Sequence, residues 1–243
     1  MTDPVFRSSP YQATLSTRVR SLTAEGAIVP EASNFYPTGG GQPGDSGLVS
    51  WEGGDIPIAA ARKGDAGDIL LVPAEACPLP PPGSALTLAL DWPRRHAHMR
   101  MHTALHLLSV VLPYPVTGGA IGEGRGRLDF DMPESPPGAA TIAEALNDLV
   151  ARDLEVGESW ITDAELAANP GLVKTLSVAP PTGQGRVRLV RIGTGADQVD
   201  LQPCGGTHVA RTAEIGLLEV VRIENKGRQN RRVVIALAGW ASA

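Results

Sequence analysis

The sequence predicts an α+β protein with a small N-terminal β-barrel and a C-terminal region of helices and antiparallel strands. Three observations carry this expectation. Up to about residue 90, short alternating apolar runs are broken by Gly, Pro and Asp, as in a small barrel or sandwich. Helical periodicity begins only after Trp92-Pro93, where a proline suits the start of a helix. Beyond that point capping signals and strand-like runs mix, the pattern of an α+β unit. The expected domains are residues 1–93 and 94–243.

Composition narrows the class. The 243 residues allow one large or two modest domains, and 42% hydrophobic content is ample for a core. No apolar run is long enough to suggest a membrane span, and Met1-Thr2-Asp3-Pro4 lacks the features of a signal peptide. The only cysteines are Cys77 and Cys204, so a reducing, cytoplasmic setting is expected rather than a disulfide framework. A net charge of -5 argues weakly against nucleic-acid binding, because local patches matter more than the total. One patch is visible: Arg222, Lys226, Arg228, Arg231 and Arg232 stand against Glu224 alone, which by itself reads as a solvated turn.

Taken in order, residues 13–30 alternate as strands, with Leu15, Val19, Leu22 and Val29 as core candidates. Residues 34–47 carry Gly39-Gly40-Gly41 between prolines, a loop of unusual backbone angles but not a phosphate loop, since no Gly-Lys-Ser/Thr follows. Alone, it reads as a tight hairpin connection. Strands are expected at Leu48–Trp51, Ile56–Ala60, Ile69–Val72 and Ala85–Leu90, with a rigid Pro-rich loop at 78–83. A helix then carries the apolar run Met99–Leu112 and stops at Pro113. Val116–Met132 is glycine-rich and turns into a strand at Arg127–Asp131. Thr141-x-x-Glu144 and Thr162-x-x-Glu165 are capping boxes opening two helices, the second ended by Asn169-Pro170-Gly171. Val187–Ile192, Leu217–Ile223 and Arg231–Leu237 read as strands, with Lys226–Asn230 as the last turn.

Two stretches carry chemistry. His102-Thr103-Ala104-Leu105-His106 puts two imidazoles one turn apart on a helix face, and Cys204-Gly205-Gly206-Thr207-His208 puts a thiol and an imidazole at the same spacing. Three nitrogens and one sulfur make a tetrahedral zinc set. Each residue has a plainer reading as a packed side chain, and the combination favours the metal. His98 would extend the helical stripe but is expected, like His96, outside the ligand set, and Cys77 is expected to be an inert or exposed thiol. Four protein ligands suit a structural ion, whereas a catalytic one needs an exchangeable position. His-Glu-x-x-His is absent, which removes the metalloprotease reading.

The residues Arg100–Leu108, together with Cys204-Gly205-Gly206-Thr207-His208-Val209, resemble the editing domain shared by alanyl-tRNA synthetases and the free-standing AlaX editing proteins. Phe35–Pro43, Glu214-Ile215-Gly216, Glu224–Gly227 and Arg231-Arg232 extend the likeness over nearly the whole chain, and it is the medium-sized, trans-acting type that they resemble. Threonyl-tRNA synthetase editing domains are more distant relatives. The resemblance implies zinc-dependent hydrolysis of the ester joining serine, or also glycine, to alanine tRNA. A pocket built for alanine cannot strongly reject a smaller residue or one carrying an added hydroxyl, so a second site is needed.

The resemblance also implies roles. His102, His106, Cys204 and His208 become zinc ligands; Thr103 and Gln202 become candidates for contacts at the reacting end of the substrate. Gly205 and Gly206 would allow close approach of the backbone to the ligand. Gly39, Gly40 and Gly41 would face the tRNA end or pack between domains. Arg94, Arg95, Arg100, Lys226, Arg228, Arg231 and Arg232 become candidate phosphate contacts, which would position tRNA without reading its sequence. Two other functions compete: a zinc-stabilised tRNA-binding module without hydrolysis, and a deacylase for another mischarged tRNA, such as threonine tRNA carrying serine.

Overall fold

A computed structural model describes residues 1–176 and 185–240. The chain divides into two compact units, Met1–His96 and Ala97–Ala243.

The first unit opens with β1 (Asp3–Pro4), which pairs in parallel with β4 (Ala32–Ser33), and the short helix α1 (Val5–Ser8). Strands β2 (Thr14–Leu22), β3 (Ile28–Pro30), β5 (Gly47–Trp51), β6 (Gly54–Lys63), β7 (Ile69–Pro73) and β8 (Ala85–Leu90) close a barrel in the order β2-β3-β7-β6-β5-β8. Alternation fills its interior. Ile56 and Ile58 on β6, and Leu86, Leu88 and Leu90 on β8, point in, with Val19, Ile28, Val49 and Leu71 from the other strands. Closure removes sheet edges that would otherwise expose unpaired amides.

The glycine-rich segment is a tight turn between β4 and β5. Gly39 and Gln42 exchange both backbone hydrogen bonds at 3.0 Å, and Gly40 and Gly41 take φ of 57° and 81°. A two-residue hairpin turn with both centres at positive φ favours Gly-Gly. Asp45 braces the turn from behind, accepting from the Tyr36 amide at 2.6 Å.

Helix α2 (Trp92–Val111) begins in the last five residues of the first unit and continues into the second. Pro93 lies in its first turn, where its missing N–H costs nothing. From Met101 to Ser109 every residue is buried. A helix covered on all sides is a core element, not a surface one. The hairpin of β9 (Val116–Ile121) and β10 (Arg125–Asp131) joins β14 (Leu218–Asn225) and β15 (Asn230–Leu237) in an antiparallel sheet ordered β14-β15-β10-β9. A second antiparallel sheet contains β11 (Val156–Thr162), β12 (Arg186–Ile192) and β13 (Asp200–Pro203).

Helix α3 (Ala139–Ala151) starts at Gly138, without a side-chain cap, so the expected cap at Thr141 is corrected: Thr141 lies inside the helix. The favourable Ala139-Ala140 pair helps extend it three residues, nearly one turn, upstream. The second capping box is present. Thr162 and Glu165 exchange both bonds at the start of α4 (Asp163–Ala168). No helix among the described residues is long and apolar enough to cross a membrane.

Candidate metal centre

The four donors come from two places. His102 and His106 lie one turn apart on α2, and Cys204 and His208 lie on the segment that leaves β13. One ligand atom from each residue lies within 4.8 Å of all the others. Cys204 Sγ is 3.4 Å from His102 Nε2 and 3.3 Å from His208 Nε2. Zinc bonds of about 2.3 Å to sulfur and about 2.0 Å to nitrogen, at tetrahedral angles, require sulfur–nitrogen edges of about 3.5 Å. The observed spacings therefore fit such an ion, and this group could hold a metal. The three imidazoles are at most 7% exposed, so an ion would sit among three buried imidazoles and the half-buried Cys204.

Electrostatics follow from that crowding. Burial opposes the Cys204 thiolate, yet the charge on His102 and hydrogen bonds from His102 and His106 hold the thiol well below its ordinary pKa. Burial also opposes a charged His106, but the Asp200 hydrogen bond and the Cys204 thiolate outweigh it and raise His106 to about 9. His208 is driven well below the usual imidazole value by burial and by neighbouring His102. The cluster thus combines a thiolate with imidazoles, a donor set suited to a borderline-soft dication, whose binding would displace the His106 proton.

The chain supports this group from behind. Asp200 Oδ2 accepts from His106 Nδ1 at 2.9 Å and from Gln202 Nε2 at 2.8 Å, while its Oδ1 meets Lys174 Nζ at 2.5 Å. Asp200 and Gln202 alternate inward along β13, which places both beneath α2. Arg188, on β12, donates Nη1 to the carbonyls of Cys204 and Gly206 at 3.0 and 2.9 Å and pairs with Glu158 through Nε. Sequence reading missed Asp200, Arg188 and Lys174. The only available signal was the Asp-x-Gln alternation just before Cys204.

The remaining candidates divide between those beside the donors and the basic residues and glycine turn elsewhere in the chain. Thr103 is fully buried against His208, and Gln202 donates to Asp200 and, at 3.4 Å, to Ser109 Oγ. A Cβ at Gly205 would meet nothing within 4 Å, so there is room beside the Cys204 segment, whereas Gly206 is buried and its amide points at Cys204 Sγ. Arg100 gives Nε and Nη2 to the Ile215 carbonyl. Lys226 pairs with Glu224, Arg232 with Asp129, and Arg231 donates to backbone carbonyls of its own hairpin; Arg228 is exposed. Arg94 donates to the Gly44 carbonyl. Arg95 corrects the expectation of a phosphate contact: it is fully buried, and its guanidinium serves Asp45 and the carbonyls of Pro10 and Asn34. His98 is buried outside the four-residue group, His96 stacks on Trp92, and Cys77 is an exposed free thiol.

Comparison with known proteins adds relatives. Residues 187–234 match the family described as the threonyl and alanyl tRNA synthetase second additional domain. The chain is 29% identical over 251 residues to the alanyl-tRNA editing protein AlaX-M of Methanosarcina barkeri, covering 98% of this chain and 99% of that one. Against AlaX-M of Methanosarcina mazei the identity is 28% over 261 residues, covering 100% and 99%. It is also 31% identical over 232 residues to the alanine–tRNA ligase of Pyrobaculum arsenaticum, covering 92% of this chain and 25% of the ligase. The chain thus spans about a quarter of the ligases it matches and nearly all of the AlaX-M proteins.

Proposed function

Since the chain belongs to the AlaX family of alanyl-tRNA editing proteins, related to the editing region of alanine–tRNA ligase, we propose that it is an aminoacyl-tRNA deacylase. It hydrolyses the ester of mischarged alanine tRNA in trans, removing serine or glycine, and works in the cytoplasm. The domains divide the labour: residues 1–93 form the barrel with its glycine turn, and 94–243 form the editing unit.

The observation that carries this reading is the convergence of His102, His106, Cys204 and His208 in a chain related along its length to editing proteins. These four residues would hold zinc, which when bound supplies Lewis-acid polarisation of an ester carbonyl. The chain's own residues do the rest. Gly205 leaves open space beside the donors for the small acyl group. Asp200, Thr103 and Arg188 keep the donors in place, while Arg100, Lys226, Arg228, Arg231 and Arg232, with the turn at Gly39, Gly40 and Gly41, are offered as contacts to the tRNA. A phosphate-based contact makes affinity fall steeply with added salt.

The test is release of serine from alanine tRNA charged with serine, beside correctly charged alanyl-tRNA, using zinc-loaded and chelated protein. Fast, metal-dependent release of serine with alanine left in place is expected. A second reading draws on the donor count, because four protein ligands close a tetrahedron. On that reading the chain is a zinc-stabilised tRNA-binding module. Bound zinc and bound tRNA without serine release would overturn the hydrolase in its favour, unless threonine tRNA carrying serine proves to be the substrate cleaved.

A further inference from the structure

Hydrogen-bond valence behind the donor group fixes more than contact. A threonine hydroxyl has one proton and two lone pairs. Thr103 Oγ1 lies 3.0 Å from the Met99 carbonyl, which has no proton to give, so the hydroxyl proton goes there. The Val209 amide donates into the same oxygen at 3.3 Å. His208 Nδ1, at 3.1 Å, must then donate into the remaining lone pair. His208 Nδ1 therefore carries a hydrogen, and in the neutral ring this leaves the lone pair on Nε2, 3.3 Å from Cys204 Sγ.

Asp200 makes the equivalent arrangement with His106. Its carboxylate has only lone pairs to offer, so His106 Nδ1 at 2.9 Å is the donor. Lys174, on the other carboxylate oxygen, balances a charge that is otherwise fully buried. Gln202 holds the same oxygen that receives His106.

We propose that Asp200 and Thr103 are positioning residues that fix His106 and His208 as Nδ1–H imidazoles, so that both present Nε2 to the centre formed with His102 and Cys204. The inference rests on the metal-centre reading but concerns this chain's own protons. Two unlike supports, one anionic and one neutral, make His106 the more basic donor. Outer hydrogen bonds of this kind both orient an imidazole and raise its basicity.

The experiment has two arms. Long-range nitrogen–proton correlation spectra of zinc-free, 15N-labelled protein read the His208 tautomer directly. Wild type is expected to show Nδ1–H. Thr103→Val is expected to give a mixed or inverted pattern, and Thr103→Ser to restore it. Competition with a chelator reads zinc affinity, which is expected to fall about 10- to 100-fold in Asp200→Asn and Thr103→Val and to recover in Thr103→Ser. Wild-type His208 protonated on Nε2 would overturn the inference, whatever the variants do. So would unchanged affinity in both folded variants. If wild type binds no zinc at all, the metal reading falls, and the His208 tautomer still decides this one.

Discussion

At position 95 the chain offers a basic residue beside another basic residue, and the fold buries it completely. Its ion pair with Asp45, itself 1% exposed, ties the start of α2 to the segment that braces the glycine turn. Removing one member of a buried pair leaves the other charge uncompensated, a loss of about 3–5 kcal/mol. Arg95→Ala is therefore expected to lower the denaturant midpoint by that equivalent, and Arg95→Lys to recover only part, because an ammonium lacks the guanidinium fork. A loss below about 1 kcal/mol in Arg95→Ala, the surface-pair range, would mean the charge is not buried in solution. Gly205 is the opposite case. Nothing within 4 Å opposes a Cβ there. Gly205→Val should keep stability and zinc affinity while cutting serine release about tenfold or more, since a misplacement of about 1 Å near the reacting atoms can cost 100-fold. Unchanged turnover would remove Gly205 from the substrate side of the centre.

Between strands, the pairing of Asp129 on β10 with Arg232 on β15 sets both register and pH behaviour. The two residues stand directly opposite each other, and both guanidinium contacts, at 2.7 and 2.9 Å, reach the carboxylate. Burial works against the Asp129 charge, yet Arg232 and Arg127 hold its pKa below the ordinary carboxylate range. A depressed folded value means the unfolded chain takes the proton first as pH falls. The stabilisation is thus complete above the unfolded value, about 3.9, and disappears as pH drops through the folded one. For a partly exposed pair it amounts to about 1 kcal/mol or less. Asp129→Asn is expected to lose that amount at neutral pH and to converge with wild type in acid; urea midpoints collected from pH 7 downward decide it, and a constant gap would show that the effect is not ionic.

What the sequence revealed divides along the same physical line. Barrel strands were legible because one face is core and the other is not, so Ile56, Ile58, Leu86 and Leu88 alternate visibly. β9 is legible only as a glycine-rich stretch, since Gly118 and Gly119 erase that alternation, and β11 is hidden because it is exposed or half-buried along its whole length. At the centre the four donors announced themselves by spacing. Asp200 and Arg188 did not, because their partners lie 94 and 16 residues away in the chain.

Across the whole molecule, the donors are unevenly shared between the two units. All four fall within Ala97–Ala243, and none within Met1–His96, whose barrel has a core of its own. Cys204 and His102 are separated by 102 residues, so an ion held by both would close a long loop of chain. The unfolded chain does not hold these donors together, so metal affinity becomes folding free energy of the unit that holds the metal. A ligand that binds only the folded state stabilises by RT ln(1 + [L]/Kd), about 4 kcal/mol at a thousandfold excess over Kd. Zinc loading is therefore expected to slow amide exchange in α2 from Ala97 onward, in β12 and β13, and in residues 204–209. The interior strands of the barrel, which contribute no donor, should exchange at unchanged rates. Exchange mass spectrometry of zinc-loaded, chelated and Cys204→Ser protein reads this directly, with the variant matching the chelated pattern. Equal slowing along β2, β6 and β8 would mean that the metal's stabilisation is not confined to the unit that supplies its ligands, and that the two units unfold as one.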